Sequence, residues 1–333
     1  MDGPSGPTGE TMRPVARRLQ SLNNRVFKRI TREEIREGLV RLGLEAGATV
    51  YAHVSMRRLG YVADGPAEVV GAIMDVVGPS GTLMMAACPA EAPSRVDPGA
   101  LFDVLETPSR SGLLSEALRV YPGSTRSLHP IASVAAVGAK AEDLVAGHAR
   151  SVTPFGPESP YAKLIQSKPR FLLIGAHLGP LLYHIQDRVG FPNLYTAEPV
   201  TFEVRDAEQR YLKLPTLALR AEVPSVVILP GSRPESRDYL LIPDYAVMFP
   251  THREREVLEA GYLRFNRSRF LGRRERLQAR GILSLGRIGQ AEAALFDGAR
   301  LTEQIAKDLA WDLGRFKEEY DAEQLSGLSL PIF

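Results

Sequence analysis

Residues 42–85 read LGLEAGATVYAHVSMRRLGYVADGPAEVVGAIMDVVGPSGTLMM, and the fold class follows from this stretch. ATVYAHV (48–54) has the texture of a buried strand ending in polar loop residues. Asp64 stands where the cap of a helix is expected, ahead of Val69, Val70, Ile73 and Val76 at helical spacing; GTLMM (81–85) then returns as a strand. Upstream, Thr31-Arg32-Glu33-Glu34 reads as a capping box, and Ile35, Leu39, Leu42 and Leu44 supply the apolar stripe of the helix it opens. Helix, strand, helix, strand at this spacing predicts an α/β sheet with crossover helices.

The rhythm continues downstream. Helices are expected over 112–120, 141–149 and 161–166, and strands over 132–137 and 171–174. Open α/β sheets bind ligands at the carboxyl ends of their strands, so the loops after Val54, Met85 and Ile174 are where chemistry is expected. Between about 195 and 250 the texture turns to strand-like runs broken by Pro and Gly, which reads as a smaller β-rich lobe or insertion. Residues 1–13 read as a disordered lead-in, and 14–333 as a single domain.

Composition sets bounds. Of 333 residues, 44% are hydrophobic and 24% charged, an ordinary globular balance, and the net charge of +2 implies neither a nucleic-acid partner nor a membrane surface. Cys88 is the only cysteine, so an intrachain disulfide, a zinc ribbon and a CxxC pair are excluded, in keeping with a cytoplasmic protein. The Gly/Pro-rich start lacks the apolar core of a signal peptide, and no apolar run approaches the roughly 20 residues that span a bilayer. Residues 14–29 read as a basic amphipathic helix, and Arg264–Arg280 holds seven arginines against one acidic residue. Both read as solvated or subunit-contact faces, which leaves a homodimer open.

The chain has no GxGxxG after its first strand, no P-loop lysine, no HExxH and no GxSxG. Its chemistry must come from elsewhere. His177 and His184 follow the strand FLLIG, and Asp187 lies three residues beyond His184. On a helix those two share a face, where the carboxylate could fix the imidazole tautomer and raise its basicity. A structural His–Asp pair, or a metal site with His177, would use the same residues. His53, Ser55 and Arg57 end the first strand, and Arg126, Ser127 and His129 form the segment RSLHP. An arginine fork with a nearby hydroxyl suits a phosphate or pyrophosphate. Cys88 reads more readily as an inert buried residue than as a nucleophile.

Taken in order, 42–85, 107–138 (TPSRSGLLSEALRVYPGSTRSLHPIASVAAVG), 153–164 (TPFGPESPYAKL), 171–187 (FLLIGAHLGPLLYHIQD) and 286–311 resemble the antibiotic N-acetyltransferase family. The resemblance implies a layered α/β/α sandwich and acetyl-CoA as co-substrate, with direct acyl transfer to the amine of a small molecule and no metal. It makes His184 the base, with Asp187 in place of the family's Glu and His177 nearby. It assigns the CoA loops to His53, Ser55, Arg57, Arg126, Ser127 and His129, and acceptor contacts to Asp244, Asp238, Glu235 and Cys88.

Where the family carries an asparagine and a hydroxyl residue near the thioester, this chain has Leu181 and Leu182. Loss of an oxyanion donor costs about 10²–10³ in turnover. Leu181 and Leu182 speak for a family member without efficient transfer, while the altered HIQD motif and the apolar segment Ala86-Ala87-Cys88-Pro89 favour a biosynthetic amino sugar, amino acid or carrier-linked acceptor over an aminoglycoside. A CoA-binding relative without efficient transfer, or a thioester or amide hydrolase, is the alternative of another class.

Overall fold

The computed structural model describes residues 29–90, 96–176, 181–190, 194–219 and 275–307. Twelve strands are described, β1 (Arg29–Ile30), β2 (Thr49–Val54), β3 (Tyr61–Val62), β4 (Thr82–Ala86), β5 (Phe102–Asp103), β6 (Thr125–Arg126), β7 (Val134–Gly138), β8 (Arg170–Ile174), β9 (Val200–Arg205), β10 (Tyr211–Thr216), β11 (Leu283–Ile288) and β12 (Ala291–Asp297). The helices used below are α1 (Arg32–Leu42), α2 (Met56–Leu59), α3 (Pro66–Val77), α4 (Leu113–Arg119), α5 (Ala141–Val145), α6 (Pro160–Gln166) and α7 (Leu181–Arg188). Residues 298–307 are also helical.

Seven strands form one mixed sheet in the order β11-β12-β8-β2-β4-β7-β6. Successive side chains leave a strand on opposite faces, and here both faces are apolar. Tyr51, Met84, Ala136, Phe171 and Leu173 point to one side; Val50, Ala52, Leu83, Met85, Leu172 and Ile174 point to the other. The second face is covered by α1, α3 and α4 through residues such as Leu39, Ile73 and Leu118. The first is covered by α5, α6, α7 and the helix at 298–307, through Leu144, Leu164, Ile185 and Leu301. This is a three-layer α/β/α sandwich, as expected. Each fully buried Val, Leu or Ile contributes about 1.5–3 kcal/mol, so the central strands, enclosed on both faces, are the rigid part of the molecule.

Local rules account for the helix starts. Thr31 accepts from the Glu34 N–H and Glu34 reaches back to the Thr31 N–H, so the capping box forms. Asp64, in contrast, is exposed and does not cap α3; Gly65 is its cap residue and Pro66 its first helical residue. Proline at the first helical position gives up an N–H that has no partner in any case, so no side-chain cap is needed to start this helix.

Residues 200–216 do form strands, and they are not a free-standing lobe. β9 and β10 join β5, about a hundred residues earlier, in a three-stranded sheet whose Phe202, Val204 and Leu214 belong to the first-face core. The Arg205 guanidinium holds the Asp103 carboxylate across the β5–β9 junction. Residues 220–250 of the 195–250 segment lie outside the described residues, as do most of the basic stretches at 14–29 and 264–280. Among the described residues no helix is long and apolar enough to cross a membrane.

Candidate active site

β2, β4 and β8 are parallel, and β7 runs antiparallel between β4 and β6. The topology therefore brings the ends of β2, β4, β6 and β8 to one edge of the sheet. His53, Cys88, the segment 127–130 and Gly175 all lie along that edge. Gly175 has a φ of +59°, and a Cβ there would stand 2.7 Å from the Arg58 Cβ; only glycine lets the chain leave β8 in this direction. The segment then leads into α7.

α7 turns Leu181 and Ile185 into the core, four residues apart, and carries His184 on the adjoining turn. His184 is 6% exposed. Its Nδ1 donates to the Phe155 carbonyl at 2.7 Å. A carbonyl only accepts, so Nδ1 carries the proton and the lone pair resides on Nε2. Burial pulls the imidazole below its ordinary pKa, opposed by the Phe155 carbonyl and the nearby Asp187 charge, and this keeps it neutral. A neutral imidazole of fixed tautomer is the state a general base needs. Phe155 is itself clamped, with its ring 5.1 Å from that of Tyr161 and stacked on Tyr183 at 5.4 Å.

The partner expected to fix His184 was Asp187, and the structure corrects this. The hydrogen bond that sets the tautomer comes from the Phe155 backbone. Asp187 accepts from the Thr153 hydroxyl at 2.9 Å and adds only its charge to His184. Residues 151–155 therefore contact both α7 side chains. Tyr195 is half-buried beside Asp187 and Thr153, with its hydroxyl enclosed.

The two loops assigned to CoA differ. In the first, Arg57 is exposed, and His53 and Ser55 are half-buried. The His53 ring lies against Tyr51, with Nε2 3.1 Å from the Tyr51 hydroxyl, and Ser55 caps α2. The second loop turns inward. Arg126 donates to the Ala87 and Thr107 carbonyls, each at 2.5 Å, and to the Ser133 hydroxyl at 3.2 Å. It also lies over the Phe102 ring at 4.7 Å. Burial pushes the guanidinium down to about 10. Ser127 and His129 are 1% and 0% exposed. Arg126 thus directs its guanidinium at interior groups, the Ser127 hydroxyl donates to His148 Nδ1 at 2.9 Å, and His129 Nε2 faces the Thr216 hydroxyl at 3.4 Å.

Cys88 is also interior: its surface is 1% exposed, burial raises its thiol to about 11, and it is inert at neutral pH. Leu181 is a core residue, fully buried. His177, Asp244, Asp238 and Glu235 lie outside the described residues. Sequence reasoning missed His148, Phe155 and Thr153, although TPFG stood out as a motif. Beside the sheet edge an open depression of about 390 Å³ is lined by Pro89, Asp97, Phe102, Arg110 and Pro130 among others.

A layered sandwich with a neutral, oriented imidazole at the carboxyl edge of its sheet is equipped for general-base chemistry. Residues 52–310 match the family model for aminoglycoside 3-N-acetyltransferases, and the chain belongs to that family. It is 42% identical over 174 residues to aminoglycoside N(3)-acetyltransferase VII of Streptomyces paromomycinus, covering 47% of this chain and 60% of that protein. It is 39% identical over 188 residues to aminoglycoside N(3)-acetyltransferase IX of Micromonospora chalcea, covering 50% and 65%. The matched segments thus span less than two thirds of these two relatives. Among solved structures, the aminoglycoside acetyltransferase AAC(3)-Xa superposes with a TM-score of 0.61 at 28% identity, covering 87% of this chain and 96% of that one. AAC-IIIb in a binary complex with CoASH gives 0.61 at 26% identity, covering 84% and 96%.

Proposed function

We propose that this protein transfers an acetyl group from acetyl-CoA to an amine of an aminoglycoside, at the 3-amino position by which its relatives are named, with His184 Nε2 as the general base. The observation that carries the reading is the hydrogen bond from His184 Nδ1 to the Phe155 carbonyl, which leaves Nε2 unprotonated. The relatives' names favour an aminoglycoside over the biosynthetic acceptor expected from the altered HIQD motif and the apolar segment at 86–89. Leu181 packs in the core, where the choice of side chain answers to volume, which weakens its weight for a family member without efficient transfer.

In the reaction the acceptor nitrogen attacks the thioester carbonyl, forming the C–N bond as the C–S bond breaks. His184 Nε2 takes the proton released by the nitrogen, and the proton then leaves with the thiol. The products are the amide and free CoA thiol, and the equation balances without a metal or redox partner. The charge of Asp187 favours the imidazolium formed midway. For the donor, exposed Arg57 at the sheet edge suits the pyrophosphate. Arg126 would be available only after breaking its bonds to Ala87 and Thr107.

The test is release of free thiol from acetyl-CoA with gentamicin or sisomicin as acceptor, with mass spectrometry of the product. One added acetyl group on the 3-amine supports the proposal. Thiol release with simple amino sugars or amino acids but not with aminoglycosides would return the acceptor to a biosynthetic one. Thiol release independent of any amine would replace transfer with hydrolysis.

A further inference from the structure

Two histidines outside this chemistry are fully interior. His129 and His148 are 0% and 1% exposed, and their rings stack at 4.4 Å between centroids. His148 Nε2 lies 2.9 Å from the Pro154 carbonyl and its Nδ1 2.9 Å from the Ser127 hydroxyl. The carbonyl can only accept, so Nε2 bears the proton and Nδ1 accepts from Ser127, whose oxygen in turn accepts the Val134 N–H at 2.9 Å. His129 Nδ1 receives the N–H groups of Ile131 and Ala132 at 3.2 and 3.4 Å, so its proton too is on Nε2. That N–H faces the Thr216 hydroxyl at 3.4 Å, which donates to the Val152 carbonyl at 3.0 Å.

Both chains of hydrogen bonds thus end on one loop, at carbonyls two residues apart. From the same loop, Thr153 and Phe155 reach α7: the Thr153 hydroxyl donates to Asp187, and the Phe155 carbonyl receives the His184 Nδ1–H. The carbonyls of 152 and 154 are held from the core side, that of Val152 also by the Leu217 N–H at 2.9 Å, while 153 and 155 hold the active-site helix.

We propose that His129 and His148 are positioning residues for the base: they fix the 151–155 loop, and through it the tautomer and orientation of His184. The catalytic part of this rests on His184 being the base. If filling space were their only role, apolar side chains would pack there without the desolvation cost of two imidazoles. What an apolar residue cannot supply is an N–H for a buried carbonyl. Burial carries His148 down to about 3 and His129 well below its ordinary value, so both stay neutral and the anchor holds through the neutral range.

The experiment is nitrogen-15 NMR of the histidine rings, with steady-state kinetics, on wild type, His148→Gln and His148→Phe. Gln keeps an N–H for Pro154; Phe keeps the ring and the stack but has no donor. Expected in His148→Phe are a mixture of His184 tautomers and a kcat lowered about 10-fold, with KM for donor and acceptor within about twofold of wild type. Expected in His148→Gln is one His184 tautomer and most of the kcat. Should His148→Phe fail to fold, Thr216→Val, which removes the His129-linked hydroxyl and leaves the Val152 carbonyl only the Leu217 N–H at 2.9 Å, takes its place with the same readings at smaller amplitude. An unchanged His184 tautomer in the donor-less variant, or a Gln variant no better than Phe, overturns the inference. If the tautomers respond as expected while wild type transfers no acetyl group, the loop anchor stands and the acyltransferase reading falls.

Discussion

The segments 53–57, at the end of β2, and 126–129, at the end of β6, each carry an arginine, a serine and a histidine at the same edge of the same sheet. In the first, Arg57 is exposed and Ser55 caps a short helix. In the second, Arg126, Ser127 and His129 all turn inward, toward the carbonyls of Ala87 and Thr107 and the amides of Val134, Ile131 and Ala132. The difference lies in the backbone around them. β2 is a central strand whose amides and carbonyls are taken by β4 and β8, so the loop beyond it can turn Arg57 outward. β6 is a two-residue edge strand beside irregular segments, whose unpaired polar groups must find partners before they can be buried. Residue type gives the chemistry a side chain can do, and the unmet needs of the neighbouring backbone decide whether that chemistry faces a ligand.

Substituting the two arginines gives the sharpest way to break the comparison. Arg126→Met strands the Thr107 carbonyl and leaves the Ala87 carbonyl with the Ser133 hydroxyl at 2.7 Å, and is expected to lower unfolding stability by about 1–3 kcal/mol. Urea titration measures this, and a donor KM that rises with no loss of stability would reverse the assignment. Arg57→Ala is expected to leave the urea midpoint unchanged and to raise the acetyl-CoA KM about 10-fold. Equal effects of the two substitutions would dissolve the distinction.

A smaller effect bears on the buried loop. His148 titrates near 3 in the folded chain and near 6.5 unfolded, so between those values the unfolded state binds more protons. Stability from this group is complete above about pH 6.5, declines as pH falls below it, and stops declining near 3. His129 adds in the same direction. His148→Gln is expected to reduce the fall in urea midpoint between pH 7 and pH 5; an identical fall in both proteins would contradict a buried neutral His148.

Much of the fold was legible because it rests on local rules. The strands at 48–54, 81–85 and 171–174 emerge within a residue or so of their expected bounds, since apolar runs between turn residues leave few alternatives. The Thr31 capping box follows from spacing alone; the helix carrying His184 is a condition for its pairing with Asp187 and what the family resemblance implies. Non-local features were hidden. Nothing in Phe102-Asp103 announces that it pairs with a strand at 204–205. The Phe155 carbonyl, which sets the His184 tautomer, has no side-chain signature, so sequence reading gave that role to Asp187, the nearest carboxylate. His148 carried one usable signal, its place just ahead of the TPFG segment.

The most direct test of His184 as the base is single-turnover transfer from acetyl-CoA to gentamicin, comparing wild type with His184→Ala. The prediction is a fall in the transfer rate of about 10²-fold or more with acetyl-CoA affinity unchanged. A variant that transfers at the wild-type rate would contradict His184 as the base, and with it the catalytic importance of its hydrogen bond to Phe155.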